Sequence, residues 1–199
     1  MSTKPKLFLD VDGVFLAPYG KPKVWQLRPG AGSFLTWASK HFDCYWLTCH
    51  GPDSTKEIAR LSGGVKQVEE LSGQNYEIQY VEWRVFNQDL DKLYGVLKTL
   101  DKLKNPEELK NMDWLVLEDG YPCHEGYHKM FELNLQDKWI VCPHEDCPEM
   151  FKDAQKMLKF YLDNRIISPP WPQMGEKLEI PKEEIQRAQK VKEGYKNEG

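Results

Sequence analysis

Apolar residues along this chain follow two kinds of pattern. Leu7-Phe8-Leu9, Cys44-Tyr45-Trp46-Leu47, Trp114-Leu115-Val116-Leu117 and Trp139-Ile140-Val141 are short unbroken runs. A strand with one wet face alternates apolar and polar residues, whereas a strand covered on both faces does not. The runs therefore predict buried strands at 5–10, 44–47, 113–117 and 139–141. Elsewhere the apolar positions recur at helical spacing. Phe34, Leu35, Trp37, Ala38, His41 and Phe42 predict a helix over 32–41, and Leu93, Val96, Leu97 and Leu100 one that begins near Leu90. Met150, Phe151, Ala154, Met157, Leu158, Tyr161 and Leu162 predict another over 149–164. Ser54-Thr55-Lys56-Glu57 is a capping box that opens a short helix, and Gly63-Gly64 ends it. Pro18, Gly20 and Pro22 make 13–26 a loop or hairpin. Residues 76–81 alternate and are rich in aromatics, so they read as a strand, either the third of the main sheet or part of a small insert.

Strand alternating with helix fits an α/β protein, a three-layer α/β/α sandwich around a mainly parallel, Rossmann-like sheet. The core is expected over 1–167. Residues 168–199 form a tail, with the stiff linker Ser168-Pro169-Pro170-Trp171-Pro172 followed by a charged helix whose apolar stripe is thin.

Composition narrows this picture. The chain has 199 residues, 40% of them hydrophobic and 12% aromatic, enough for one domain with a substantial core. A formal net charge of -4 argues against a broad nucleic-acid-coating surface but leaves room for a local basic groove. No apolar run is long enough to cross a membrane, and the first residues do not read as a signal peptide, so no membrane partner is expected. With five cysteines and no export signal, a cytoplasmic protein with reduced thiols is the expectation.

Candidate chemistry gathers where the apolar runs stop. The first run breaks on Asp10-Val11-Asp12-Gly13, and ligands of open α/β sheets bind just beyond the carboxyl ends of the strands. Two carboxylates so close repel unless a cation sits between them or one takes a proton. Gly13 lets the chain leave the strand with unusual dihedrals. The second run ends on Thr48, with Cys49 and His50 behind it, and the third on Glu118-Asp119-Gly120.

Asp-x-Asp after a hydrophobic strand, then a strand ending on Thr, a Lys at a helix start, and a strand ending on two acids resemble, in that order, the four motifs of the haloacid dehalogenase superfamily. The resemblance covers Asp10 to Asp119. It implies a strand order of 5-4-1-2-3 and phosphoryl transfer through an aspartyl phosphate. Asp10 would be the nucleophile and Asp12 the general acid and base. Thr48 and a lysine would hold the phosphoryl group. Lys92 matches best, with Lys98 and Lys102 as alternatives. The resemblance also implies Mg²⁺, held by Asp10, by the backbone carbonyl of Asp12 and by Asp119. Glu118, where the family usually has Asp or Gly, His50 and Gly13 would lie close by, supporting these groups or meeting substrate. No large cap insertion is evident, which suits a nucleotide, another small phosphate ester or a nucleic-acid end.

Two alternatives stand beside this. Arg28-Pro29-Gly30 resembles the segment before the second motif of the small C-terminal-domain phosphatases, which act on phosphoserine. The fold could also persist as a binding module without turnover. Arg28 itself reads as a surface salt-bridging residue that could instead bind phosphate. Cys123, His124, His128, Cys142, His144 and Cys147 could together make a zinc site, although their spacing matches no standard pair of Cys-x-x-Cys arms.

Overall fold

A computed structural model describes residues 4–19, 24–48, 79–80, 91–119, 124–142, 147 and 149–165. Each unbroken apolar run is a strand of one parallel sheet. The first, β1 (Lys6–Leu9), pairs on one side with β4 (Asp43–Trp46) and on the other with β6 (Trp114–Glu118). Two short strands flank these, β5 (Gln79–Tyr80) on β4 and β7 (Trp139–Val141) on β6. The order across the sheet is β5-β4-β1-β6-β7. Counting only this sheet's strands along the chain and reading from the β7 edge, that is 5-4-1-2-3, the order the resemblance implies. Gln79–Tyr80 thus belongs to the main sheet rather than to an insert.

Parallel strands need crossovers, and helices lie in three of the four, the β4–β5 connection falling outside the described residues. Between β1 and β4 lie the hairpin β2 (Leu16–Tyr19) with β3 (Val24–Leu27) and helix α1 (Ala31–His41). Helix α2 (Asp91–Thr99) and a 3₁₀ segment at Pro106–Asn111 precede β6. Helix α3 (His124–Glu132) links β6 to β7, and α4 (Met150–Asn164) follows β7.

Side chains on successive strand residues point to opposite faces, so the non-alternating runs fill two cores. Leu7, Leu9, Trp46, Leu115, Leu117 and Ile140 join α1 and α4 in one buried cluster. Phe8, Tyr45, Trp114, Val116 and Trp139 join α2 and α3 in the other. In the first, the Phe15 ring meets Trp46 at 5.1 Å and Phe151 at 4.9 Å between centroids, and Phe34 stacks on Phe151 at 4.8 Å. Such pairs contribute about 0.5–1.5 kcal/mol each beyond the area they bury.

The start of β6 is tied to the end of α4. The Tyr161 hydroxyl donates to Asp113 Oδ1 at 3.2 Å, and Arg165 lies 3.5 Å from Asp113 Oδ2. Lys138 donates to the Met112 carbonyl at 3.1 Å and sits 5.8 Å above the Tyr161 ring. Its burial lowers the ammonium pKa against the opposing pull of Asp137 and Asp113.

The expected helix after Ser54, most of 65–89 and the 168–199 tail lie outside the described residues. Among the described residues no helix is long and apolar enough to cross a membrane.

Candidate active site

Sheet register places the acids. Leu9 is level with Trp46 on one side and Leu117 on the other. The ladder runs one step further, with Asp10 N–H donating to the Leu117 carbonyl at 3.0 Å and Leu47 N–H to the Leu9 carbonyl at 2.8 Å. Asp10 therefore emerges between Leu47 and Glu118, at the carboxyl end of the central strand.

Lys92, on the first turn of α2, reaches across to this point. Its Nζ lies 2.9 Å from Asp10 Oδ1 and 2.6 Å from Glu118 Oε2, and only 13% of its side chain is exposed. Glu118 uses its other oxygen, Oε1, to accept the Asp119 N–H at 3.2 Å. One carboxylate thus holds both the lysine and the backbone of the next acid. Burial works to lower the Lys92 pKa, but Glu118 and Asp10 outweigh it and hold the ammonium above its ordinary value. Glu118 moves up, first because it is buried and then because Asp10 repels its charge.

One carboxylate oxygen from each of Asp10, Glu118 and Asp119 lies within 4.8 Å of the other two. Lys92 sits between two of these acids, Asp10 and Glu118, in one compact cluster. Gly13 makes the room for it. Its φ is +74°, and a Cβ there would lie 2.0 Å from Asp119 Oδ2. Both the left-handed backbone and the seat of the Asp119 carboxylate exclude any larger residue. Close-set oxygen donors of this kind could hold a metal ion.

Of the three candidate lysines, Lys92 is the one brought to the acids. Lys98 is exposed, and Lys102 pairs with Glu108. Thr48 is fully buried, one residue beyond the position level with Asp10. Asp12 is half-buried and bridges to Leu16 at the foot of the hairpin. His50 lies outside the described residues, as do Cys123, His144 and the stretches 49–78 and 81–90 on which the capless expectation rests. Of the six Cys and His residues weighed for zinc, Cys142 is buried, its thiol pushed well above the ordinary range by that burial, and Cys147 is partly buried. His128 is exposed, and the His124 side chain is not described.

Arg28 corrects one expectation. It is no surface residue: 2% of it is exposed, and its Nη2 donates to the Gly13 carbonyl at 2.8 Å. Sequence reasoning noticed the Arg-Pro-Gly opening of α1 but had no local signal that the guanidinium turns inward toward the Asp12–Gly13 turn.

The chain matches no family model and no curated protein. Its chemistry must be read from the site itself.

Proposed function

We propose that this protein is a magnesium-dependent phosphohydrolase of the haloacid dehalogenase type, built as a three-layer α/β/α sandwich. Its substrate would be a nucleotide, another small phosphate ester or a nucleic-acid end. The observation that carries the reading is Lys92 held between Asp10 and Glu118, with Asp119 beside them, at the carboxyl ends of adjacent parallel strands. A structural acidic turn would have no need of a buried lysine anchored by two carboxylates, since burying charges costs several kcal/mol per ion even after relaxation.

A carboxylate is already deprotonated at neutral pH, so Asp10 can attack phosphorus without a base. The new bond joins an Asp10 oxygen to phosphorus while the ester P–O bond breaks. Asp12 gives its proton to the leaving oxygen. Asp12, now ionised, takes a proton from water, whose oxygen attacks phosphorus. Phosphate leaves and the Asp10 carboxylate is restored. Lys92 neutralises oxygens of the transferring group, and Thr48 offers a hydroxyl donor to them. Asp10, Asp119 and the Asp12 carbonyl would hold Mg²⁺, which supplies positive charge between carboxylate and phosphate. Glu118 keeps Lys92 and the Asp119 backbone in place. A cytoplasmic setting belongs to the same reading and rests on free Cys44, Cys142 and Cys147.

The test is phosphate release from nitrophenyl phosphate, nucleotides and 5′- or 3′-phosphorylated oligonucleotides by the full chain. Turnover is expected with Mg²⁺, lost after stripping with EDTA and restored by adding the ion. No release from any ester, or full activity after stripping, would overturn the proposal.

A further inference from the structure

We propose that the cavity between the first turns of α1 and α4 is the seat of this chain's own Trp171, carried there by the proline-rich segment 168–172. The inference does not depend on the phosphohydrolase reading.

The cavity measures about 350 Å³, room for one large side chain. Ser33 and Phe34 on α1 face Phe151, Lys152 and Gln155 on α4 across it. The Phe34 and Phe151 rings stack at 4.8 Å between centroids and make its lining mainly apolar. At the rim stands the Glu149–Lys152 ion pair, with side chains 56% and 71% exposed. A tryptophan needs both kinds of wall, an apolar surface for its ring and an acceptor for its indole N–H. The Glu149 carboxylate and the Gln155 amide carbonyl are acceptors at the cavity.

Half-buried apolar surface continues from the cavity toward the far end of α4. Trp37, one turn beyond Ser33 on α1, is partly buried, and Lys159 of α4 lies 5.8 Å above its ring. Leu162 is partly buried against the same cluster. Grooves lined by aromatic rings suit extended proline-rich segments, whose shape is fixed before binding, so little entropy is lost.

Reach selects the residue. Helix α4 ends on Arg165, which takes a left-handed conformation at φ +60° while its N–H donates to the Tyr161 carbonyl at 2.6 Å. Such an exit carries the chain off the helix axis. Gln155 and Lys152 lie about 15 and 20 Å back from Arg165 along the helix, at 1.5 Å per residue. The stretch from Arg165 to Trp171 spans about 19 Å, at about 3.1 Å per residue for a proline-rich chain. A chain that turns back along the α1–α4 groove therefore brings Trp171 level with the cavity. Ile166 and Ile167 fall short of it, and Met174 overshoots it.

The test is fluorine NMR of the full chain labelled with fluorotryptophan, the Trp171 signal being identified by its absence from Trp171→Phe. Burial is read from the change in that signal between light and heavy water. In the wild-type chain this solvent shift should be largely lost. Ser33→Phe fills the cavity from an exposed position on α1 and should restore the solvent shift to that of free fluorotryptophan. Trp171→Ala should lower the melting temperature of the wild-type chain and leave that of Ser33→Phe unchanged, since the two changes remove one contact. If Ser33→Phe does not fold, Gln155→Phe on the opposite wall carries the same comparison. A full solvent shift for Trp171 in the wild-type chain, or burial that persists when the cavity is filled, would overturn the proposal. So would burial that disappears on dilution, which would show that the cavity takes the tail of a second copy.

Discussion

The two ends of the central sheet hold similar residues under opposite conditions. At the carboxyl end, Asp10 and Glu118 grip Lys92, with side chains 4%, 5% and 13% exposed. At the amino end of β6, Asp113 faces Arg165 and Tyr161, but the ion pair is 51% and 47% exposed. Both are acid–base contacts at the mouth of a strand. Water screens the second, so it serves as a loose tie between α4 and the sheet, worth about 0–1 kcal/mol. The first has lost its water, so each charge depends on its partner, and removing one leaves another stranded. Such an arrangement is costly to keep for stability alone, and perturbed, charged, buried groups cluster where chemistry is done.

The sharpest break in this comparison is at Asp10. Asp10→Asn should abolish turnover, because an amide is a poor nucleophile, whereas Asp12→Asn should retain attack and lose proton transfer, a factor of about 10²–10⁴. Mass spectrometry after mixing with nitrophenyl phosphate should find a phosphate adduct on the Asp12 variant and none on the Asp10 variant. An adduct mapped elsewhere would remove Asp10 as nucleophile.

Next in size is Lys92→Met, which leaves two buried carboxylates without their cation. Denaturant unfolding in EDTA should record a loss of about 3 kcal/mol. A loss under about 1 kcal/mol would put the two ends of the sheet on the same footing.

Glu118 provides a pH-dependent version of the same contrast. Its folded pKa is raised, first by burial and then by Asp10, so in the metal-free chain the folded state binds this proton more tightly than the unfolded state does. Stability from this group is therefore full below the ordinary value of 4.5 and is lost as pH rises through the folded value. In EDTA, Glu118→Gln should flatten that decline, seen as a wild-type-minus-variant difference in unfolding free energy that drifts with pH. A difference that is constant with pH would show that Glu118 is as ionised in the fold as out of it.

The smallest effect is expected at the amino end. Asp113→Asn should change stability by no more than about 1 kcal/mol and leave turnover untouched. A larger loss in thermal unfolding would make the Asp113–Tyr161–Arg165 contact a structural anchor of α4 rather than a loose tie.

Several features of the site are legible in the sequence alone. The unbroken runs around Phe8, Tyr45 and Val116 announce strands covered on both faces, because polar residues cannot sit on either side of such a strand. Residues that end those runs must emerge at the sheet's carboxyl edge, which is how Asp10, Thr48 and Glu118-Asp119 come to be neighbours although far apart in the chain. Gly13 could be read as a backbone requirement, and its +74° φ agrees.

What the chain could not decide by itself were matters of distance and burial. Lys92, Lys98 and Lys102 look alike locally, all on or just past one helix; the packing of α2 against β6 selects Lys92 and leaves Lys102 to Glu108. Arg28 follows a strand and precedes Pro29-Gly30, a context in which an arginine ordinarily faces water. Only the fold turns it inward, because the hairpin brings its backbone to Phe15 and its side chain to the Gly13 carbonyl. Local sequence determines where strands stop and which residues stand at their ends, because hydrophobic period is a short-range property. Which charges lose their water and which partner compensates each is a long-range property, since desolvation depends on every element packed around the group.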